Sequence, residues 1–434
     1  MENKLIDKEF PNPENLIAEA FSVIYQNSSP PEGIFELFRL RDKPGKICAI
    51  FYHGRSGSFF CQSFFSDYEH AQVITVPPHA MVDFELVISE GQINEFNEHK
   101  LATWEALKSW CDQLLQCFPY MYEKLDTQPG LDKYCTSRVA YSKLFYAQML
   151  LIEQGSLTYE ILLKIFFISY RLSKKGTLDW NRQLIFLWQA HVPSYAHIPE
   201  RKKWILKTFK DSLLLTVVRF PEKALDSHLM HHAYETISPP IITLFHRLCF
   251  DHLANDSKLS GDSNSDRECV IRFEDLHHHP EFVLKALCNW FEVPYSSELV
   301  KTSFTYLVNG VEVTGARRLK ISEFEPKMLD YYDLLRIRFL LQEEYLKWGY
   351  ASFCNPSFEQ SILFGEAFMS HIFHAYTVLA SLSEEPKNVV LKEASRLEQS
   401  FGFERERRNS GISITPLLYC LNEVPSIVVD DGGE

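Results

Sequence analysis

The loop His53-Gly-Arg-Ser-Gly-Ser58 combines the residue types that hold a small anion. It follows a continuous apolar run at 47–52, which is typical of a strand buried on both faces, and precedes a helical apolar pattern that starts at Phe59. A helix N-terminus offers backbone N–H groups and the positive end of its dipole to one negative charge. The pattern therefore predicts an anion-binding loop. A turn from strand to helix with a serine cap is the alternative that the residues leave open.

Within this loop each residue type has a separate use. Gly54 and Gly57 let the backbone come close to a ligand. Arg55 offers a charged fork, and Ser56 and Ser58 offer hydroxyl groups. The loop is not the P-loop of nucleoside triphosphatases, because that motif requires a lysine directly after its last glycine. It also lacks the G-x-G-x-x-G pattern of dinucleotide-binding proteins.

A second basic position stands at the end of another buried strand. The apolar run at 212–218 is followed by Arg219-Phe-Pro221, and a helix is predicted to begin near Glu222. Ser227 lies eight residues after the arginine, two turns into that helix. In open parallel sheets ligands bind at the carboxyl ends of the strands, so both side chains are candidates for one anion-binding crevice. An arginine at a strand end and a serine on a helix surface are the structural alternative.

Five short apolar runs predict the strands that must position these residues. They lie at 47–52, 71–76, 184–188, 212–218 and 269–273. With helical patterns between them, they predict an α/β fold with a parallel sheet flanked by helices. We predict an N-terminal helical segment at 1–45, this α/β domain at 46–352, and a helical C-terminal extension with a frayed tail at 353–434. Within the domain, residues 82–180 are almost wholly helical in pattern and predict a large insertion.

The composition excludes several classes of protein. Of 434 residues, 46% are hydrophobic and 23% are charged, which excludes a mostly disordered chain. The net charge of −13 argues against a nucleic-acid partner, although it leaves room for a local basic pocket. Ten dispersed cysteines without a C-x-x-C are expected as small core residues. With no apolar leader and no run of about 20 apolar residues, we predict a soluble cytoplasmic protein that does not span a membrane.

Three stretches, in this order along the chain, resemble the sulfotransferase family, which uses 3′-phosphoadenosine 5′-phosphosulfate (PAPS). Arg55-Ser-Gly-Ser58 resembles the 5′-phosphosulfate loop of that family, and Arg219-Phe-Pro221 with Ser227 resembles its 3′-phosphate motif. Arg272-Phe-Glu-Asp-Leu276 is similar to the family's Arg-Tyr-Glu-Asp-Leu strand, and a similar helix follows it. The resemblance covers residues 46–78 and 184–350.

The resemblance implies transfer of a sulfuryl group from PAPS, as co-substrate, to a hydroxyl or amine. The acceptor stays unknown among small molecules, glycans and proteins, the oligomeric state is open, and no metal is expected. The loop would bind the 5′-phosphosulfate, and the second motif with a late basic segment would bind the 3′-phosphate. These positions are Arg55, Ser56, Gly57, Ser58 and Phe59 for the first group, and Arg219, Ser227, Arg317 and Arg318 for the second. A solvated basic turn is the alternative explanation of the last two arginines.

His191 is the candidate general base. It lies in Gln189-Ala-His-Val-Pro193, which resembles the Lys-Thr-His-Leu-Pro stretch of cytosolic sulfotransferases at the histidine and the proline. Imidazole is a common base in proteins because it titrates near neutral pH. Other branches of the family use a glutamate, and a histidine that caps a strand is the structural alternative. Arg55 would assist catalysis by stabilising charge on the leaving phosphate.

Three positions depart from the pattern of the family. Phe59 stands where many members have a second hydroxyl residue, Phe220 replaces an aspartate or asparagine, and Glu222 replaces a common basic residue. These departures leave a catalytically inactive sulfotransferase-like binding or scaffold protein as an alternative. A kinase-like phosphoryl transferase is a further alternative, which the absence of a lysine after Gly57 disfavours.

Two histidine clusters are candidates for holding a metal. His228, His231 and His232 share a predicted helix, and the run at 277–279 follows Leu276 in a loop that is expected to be exposed. No acidic or cysteine ligand pattern accompanies either cluster. We therefore predict no metal site.

Overall fold

The structure is a computed structural model that describes most of the chain up to residue 350. The described residues are 10–25, 30, 32–40, 43–52, 57–67, 71–77, 80–81, 84–99, 103–122, 135–174, 178–191, 198–234, 266–302, 305–308, 311–315, 325–327, 329, 334 and 348–350. Of the predicted site residues, Arg55, Ser56, Arg317 and Arg318 lie outside the described residues. The C-terminal extension predicted at 353–434 lies outside them as well.

Within the described residues, five strands form one parallel sheet. They are β1 (Lys46–Tyr52), β2 (Val73–Thr75), β3 (Ile185–His191), β4 (Leu213–Val218) and β5 (Glu268–Arg272). The order across the sheet is β2-β3-β1-β4-β5, and all neighbours pair in parallel. This architecture confirms the predicted α/β fold with a parallel sheet flanked by helices. Each strand overlaps one of the predicted apolar runs, although the bounds differ by up to three residues.

The strands are mostly apolar because both faces of the sheet are buried. On β1, Ile47, Ala49 and Phe51 belong to one hydrophobic core, whereas Cys48 and Ile50 belong to another. Successive side chains of a strand point to opposite faces of the sheet, so a core on each side leaves few polar positions. The continuous apolar runs in the sequence are the consequence of this double burial.

Helices pack on the sheet in both of these cores. The described helices are α1 (Pro13–Tyr25), α2 (Ile34–Arg39), α3 (Ser58–Asp67), α4 (Phe84–Val87), α5 (Glu90–His99), α6 (Trp104–Gln116), α7 (Arg138–Leu151), α8 (Tyr159–Ser173), α9 (Ile198–Thr208), α10 (Pro221–Tyr234), α11 (Phe273–His278) and α12 (Pro280–Phe291). The core that contains Phe51 takes in α1, α2, α7 and α8. The core that contains Ile50 takes in α3 and α12.

A separate two-stranded hairpin follows the parallel sheet along the chain. Its strands are β6 (Thr305–Val308) and β7 (Val311–Thr314), and they pair in antiparallel fashion. The strands predicted above do not include this hairpin, although Asn309-Gly310 between its two short runs is a dipeptide that favours a two-residue hairpin turn.

Helix α8 is buried on all sides and still holds a charge. Every residue from Ile161 to Ser173 is buried. Lys164 is tolerated there because its Nζ donates to Glu160 Oε1 (2.6 Å) and to the carbonyl oxygen of Lys43 (2.8 Å). In the described part of the chain, no helix is both long and apolar enough to cross a membrane.

Most of the cysteines that the structure describes are core residues with free thiols. Cys117 is exposed and Cys135 is half-buried. The buried ones are Cys48, Cys61, Cys111, Cys269 and Cys288, as predicted from their apolar surroundings. Burial raises the pKa of the Cys48 thiol well above its usual range, so this thiol stays protonated.

Lys43 is a buried cation at the carboxyl end of α2. Its Nζ donates to the carbonyl oxygens of Leu37 (3.0 Å) and Phe38 (2.6 Å), and only 3% of the residue is exposed. Burial lowers the pKa of this amine from the usual 10.5 to about 7. Between these two pH values the unfolded chain holds one proton more than the folded chain. The free energy of unfolding therefore rises with pH in this window.

We expect a Lys43→Met variant to lose this pH dependence. Between about pH 7 and pH 9, the free energy of unfolding of the native protein should rise relative to that of the variant by up to about 1.4 kcal/mol per pH unit. Urea titrations across this range measure the difference, and Lys301→Met removes an exposed lysine as the control. Parallel profiles for the native protein and Lys43→Met would mean that the two carbonyls keep the amine charged, contrary to this expectation.

Candidate functional site

The carboxyl ends of the strands bring predicted site residues to one edge of the sheet. β1 lies between β3 and β4, and Tyr52 at the end of β1 is in register with His191 at the end of β3. On the other side, Val218 at the end of β4 is in register with Arg272 at the end of β5. The residues that follow these strands therefore leave the sheet side by side. This edge is where ligands bind in open parallel sheets.

Helix α3 begins directly after the predicted anion loop. Gly57 has a φ of +96°, a left-handed conformation that costs a residue with a side chain about 1–2 kcal/mol. Its carbonyl accepts the N–H of Cys61 (3.0 Å) in the first turn of the helix. Ser58 is buried and Phe59 is half-buried. Because the first N–H groups of a helix have no acceptor within it, the start of α3 offers donors to an anion.

The ring of Phe273 lies against Gly57. A Cβ on the glycine would lie 2.6 Å from Phe273 Cε2 and closer still to Cδ2. Phe273 is the first residue of α11 and directly follows β5, so the contact joins the end of β5 to the start of α3. Position 57 therefore requires glycine for two reasons, its backbone conformation and the space that the ring takes.

The guanidinium of Arg219 lies over the same ring. Its Cζ is 4.7 Å from the centroid of Phe273. A cation in this position is attracted by the face of the ring, typically by about 0.5–1 kcal/mol where it is partly exposed. Arg219 is half-buried at the end of β4. The two predicted anion-binding positions, Gly57 after β1 and Arg219 after β4, thus meet on one aromatic side chain.

The first turn of α11 carries two buried carboxylates with separate partners. Glu274 Oε1 accepts the N–H of Phe220 (3.1 Å), and Glu274 Oε2 accepts the hydroxyl of Tyr350 (2.7 Å). Asp275 accepts two hydrogen bonds from Arg272, at 2.7 Å from Nε and at 2.9 Å from the terminal nitrogen. These bonds tie the start of α11 to the turn after β4 and to the segment at 348–350.

The expectation of an exposed loop at 277–279 is wrong for His277 and His278, whereas His279 follows the helix and is exposed. His277 and His278 belong to α11, and His277 is 3% exposed. The His277 ring stacks on Phe60 of α3, with centroids 4.1 Å apart and planes at 5°. The helix extends to His278 and buries Leu276 and His277 against its neighbours. Within the described ranges, no group of three or more His, Cys, Asp or Glu side chains is placed to hold a metal.

The other predicted residues lie on elements next to the edge. His191 is the last residue of β3. Ser227 is half-buried, two turns into α10. Glu222 is buried in the first turn of the same helix, at 1% exposure. Backbone position alone places His191 and Ser227 near the site, so their roles stay predictions.

Phe273 and Glu274 are site residues that the sequence patterns miss. The stretch at 272–276 resembles a family motif, but the apolar run predicts that Phe273 ends a strand. The strand ends at Arg272 instead, and a helix begins at the next residue. The sequence feature that could have identified these two site residues is their position directly after a buried parallel strand.

No family model matches the chain, and no curated protein matches it. Among solved structures, it is similar to a sulfotransferase domain from the curacin biosynthetic pathway, at 18% identity and a TM-score of 0.32, over 59% of this chain and 77% of that one. It is also similar to the sulfotransferase domain of the Synechococcus PCC 7002 olefin synthase, at 15% identity and a TM-score of 0.34, over 83% of this chain and 95% of that one. At such identities and TM-scores, neither family nor activity carries over to this chain.

We expect Gly57→Ala to destabilise the protein more than Gly155→Ala. Both glycines have a positive φ, +96° and +78°, but a Cβ on Gly155 meets no atom within 4 Å. The matched pair therefore separates backbone strain from the clash with Phe273, which should add about 2 kcal/mol to the loss of unfolding free energy. Urea denaturation measures both losses. Equal losses would contradict the close contact, and a Gly57→Ala/Phe273→Ala double variant should lose less than the sum of its two single changes.

Proposed function

We propose that this protein is a sulfotransferase that takes a sulfuryl group from PAPS and transfers it to a hydroxyl or an amine. The observation that carries the proposal is the convergence of Gly57 and Arg219 on the ring of Phe273. A helix N-terminus after one strand and an arginine after the neighbouring strand provide two anion-binding positions. Two such positions suit a nucleotide that carries two separate phosphate groups.

The 5′-phosphosulfate would bind at the start of α3. Gly57 supports this role because its positive φ lets the chain turn directly into α3, whose first N–H groups can donate to the anion. Arg55 and Ser56 are proposed on the sequence alone. Ser58 and Phe59 would contribute mainly through their backbone, since Ser58 is buried.

The 3′-phosphate would bind beside the end of β4. Arg219 supports this role because its guanidinium is half-buried and held over a ring, with its charge next to the carboxyl edge. Ser227 would donate its hydroxyl from the second turn of α10. Arg317 and Arg318 would complete the site from the basic segment that follows β7.

The reaction would be an in-line displacement at sulfur. A bond forms between the acceptor oxygen or nitrogen and sulfur, while the bond from sulfur to the bridging oxygen breaks. The electron pair of that bond stays on the 5′-phosphate of the leaving nucleotide, and the acceptor proton passes to His191 or to a carboxylate. Arg55 and the N–H groups of α3 would stabilise the charge on the bridging oxygen, an effect worth about 10²–10³ in rate per donor. No metal takes part in these steps.

The acceptor would bind on the β3 side of the edge, between His191 and the helices that connect β2 to β3. This location would place the acceptor nucleophile near the candidate base and opposite the leaving phosphate. The acceptor class is open among small molecules, glycans and proteins, and the proposal includes no nucleic-acid partner.

A catalytically inactive binding protein with this fold is the second candidate. The observation in its favour is Glu222, whose carboxylate is buried in the first turn of α10, three residues after Arg219. A buried negative charge at this position opposes a 3′-phosphate through Coulomb repulsion. Turnover of PAPS distinguishes the two candidates, because a scaffold would release no bisphosphate.

Calorimetric titration with 3′-phosphoadenosine 5′-phosphate tests the proposed site. We expect a dissociation constant of about micromolar, and a loss of about 10²–10⁴-fold in an Arg55→Ala/Arg219→Ala variant, because each charged hydrogen bond contributes roughly 1.5–3 kcal/mol. Arg182→Ala, which removes an exposed arginine paired with Asp179, is the control and should bind normally. No binding of the bisphosphate at millimolar concentration, or equal binding of ATP with magnesium, would refute the proposal.

His191→Gln tests the candidate base. The kcat of PAPS-dependent sulfation should fall by about 10²–10⁴-fold, because the variant cannot accept the acceptor proton. Affinity for the bisphosphate should stay within about twofold, since the histidine is assigned to the acceptor side of the edge. The assay uses an acceptor found by screening hydroxyl and amine compounds. An unchanged kcat would assign the base to another residue.

A further inference from the structure

We propose that Phe273 and Glu274 are positioning residues that hold Arg219 ready for a phosphate group of the ligand. The inference rests on the function proposed above for the identity of that ligand. Neither side chain has to touch the ligand itself. Phe273 acts on the side chain of Arg219, and Glu274 acts on the backbone of the turn that carries it.

Phe273 restricts the arginine through its ring. A free arginine side chain has many rotamers, and part of this conformational entropy is lost when the side chain binds an anion. The guanidinium of Arg219 already rests 4.7 Å from the ring centroid, so part of this cost is met before the ligand arrives. The ring itself is confined. It packs against Gly57 on one side, and edge contacts join it to the rings of His277 (centroids 4.5 Å apart) and Phe60 (5.8 Å).

Glu274 fixes the backbone that follows the arginine. It is 1% exposed, and its Oε1 accepts the N–H of Phe220, the residue directly after Arg219. Its Oε2 accepts the hydroxyl of Tyr350, whose ring also packs on Phe220 with centroids 5.4 Å apart. Burial, with a contribution from the charge of Glu274, raises the pKa of Tyr350 well above its usual value. The hydroxyl therefore remains a donor at every physiological pH.

The first turn of α11 is itself anchored on two sides. Arg272 pairs with Asp275 through two hydrogen bonds and donates a third to the carbonyl oxygen of Trp348 (3.1 Å). The stack of His277 on Phe60 ties the same helix to α3. One rigid turn thus fixes both the arginine and the start of α3. This arrangement sets the spacing of the two anion-binding positions before a ligand is present.

A double-mutant cycle tests the role of Phe273. In the native background, Phe273→Leu should weaken binding of 3′-phosphoadenosine 5′-phosphate by about three- to tenfold, because the released arginine side chain then loses its rotamer freedom when it binds the anion. In the Arg219→Ala background, the same change should alter affinity by less than about twofold, because the group that it positions is absent. Phe291→Leu, which alters the same hydrophobic core within α12, should leave affinity unchanged. An equal loss in both backgrounds would overturn the role of Phe273.

Hydrogen exchange tests the role of Glu274 without any ligand. The Phe220 amide should exchange about tenfold faster or more in Glu274→Leu than in the native protein, because it loses its acceptor. Glu274→Gln keeps an oxygen acceptor and should stay within about threefold of the native rate. The Glu274→Leu/Tyr350→Phe variant removes the buried hydroxyl that Glu274→Leu leaves unpaired, and so keeps the test valid if the single variant folds poorly. Native protection of the amide in both leucine variants would overturn the inference.

The two measurements separate this inference from the proposed function. If the native protein does not bind the bisphosphate, the proposed function fails, and exchange at Phe220 still decides whether Glu274 holds the turn. If the native protein binds the bisphosphate, Phe273→Leu binds it as tightly as Phe291→Leu does, and Glu274→Leu keeps native protection of the Phe220 amide, the function stands and the positioning role fails. Native affinity for the bisphosphate in Glu274→Gln, together with weaker binding in Glu274→Leu, would support the proposed function and the positioning role of Glu274.

Discussion

The contact between the Phe273 ring and Gly57 is the constraint on which the carboxyl edge of the sheet depends. The ring occupies space that any side chain at position 57 would need, and its face carries the guanidinium of Arg219. It is held there because β5 ends at Arg272, whose two hydrogen bonds to Asp275 close the first turn of α11 at once. The change from strand to helix after Arg272 therefore determines the positions of the polar groups that follow β1 and β4.

Three buried basic side chains of the protein share one kind of hydrogen-bond partner, a backbone carbonyl oxygen. Lys43 donates to two carbonyl oxygens at the end of α2, and Lys164 donates to the carbonyl oxygen of Lys43 and to Glu160. Arg272 likewise combines a carboxylate with a carbonyl oxygen. A buried ion costs free energy unless its hydrogen bonds are satisfied. Lys164 and Arg272 each have one partner that is distant in sequence, the carbonyl oxygens of Lys43 and Trp348, and thereby join two segments of the chain.

Local patterns predict those features of this protein whose causes are local. The strand Leu213–Val218 is evident because both of its faces are buried, and Gly57 is evident because a tight turn into a helix favours glycine. The burial of His277 is not evident, since its stacking partner Phe60 lies in another helix. The role of Phe273 depends on the order of strands across the sheet, which no local pattern contains. Sequence thus predicts the elements and the loop, whereas tertiary contacts determine what surrounds them.

The central place of β1 has a consequence during synthesis. β1 is made early, yet its two neighbours, β3 (Ile185–His191) and β4 (Leu213–Val218), follow only after all of the helices from α4 to α8 have been made. Until then both of its edges have unpaired N–H and C=O groups, and both of its faces are apolar. Such a segment is prone to aggregate on the ribosome. The nascent chain would depend on early packing of α1, α7 and α8 or on a chaperone to shield it, and yield on expression should be sensitive to anything that delays the completion of β4.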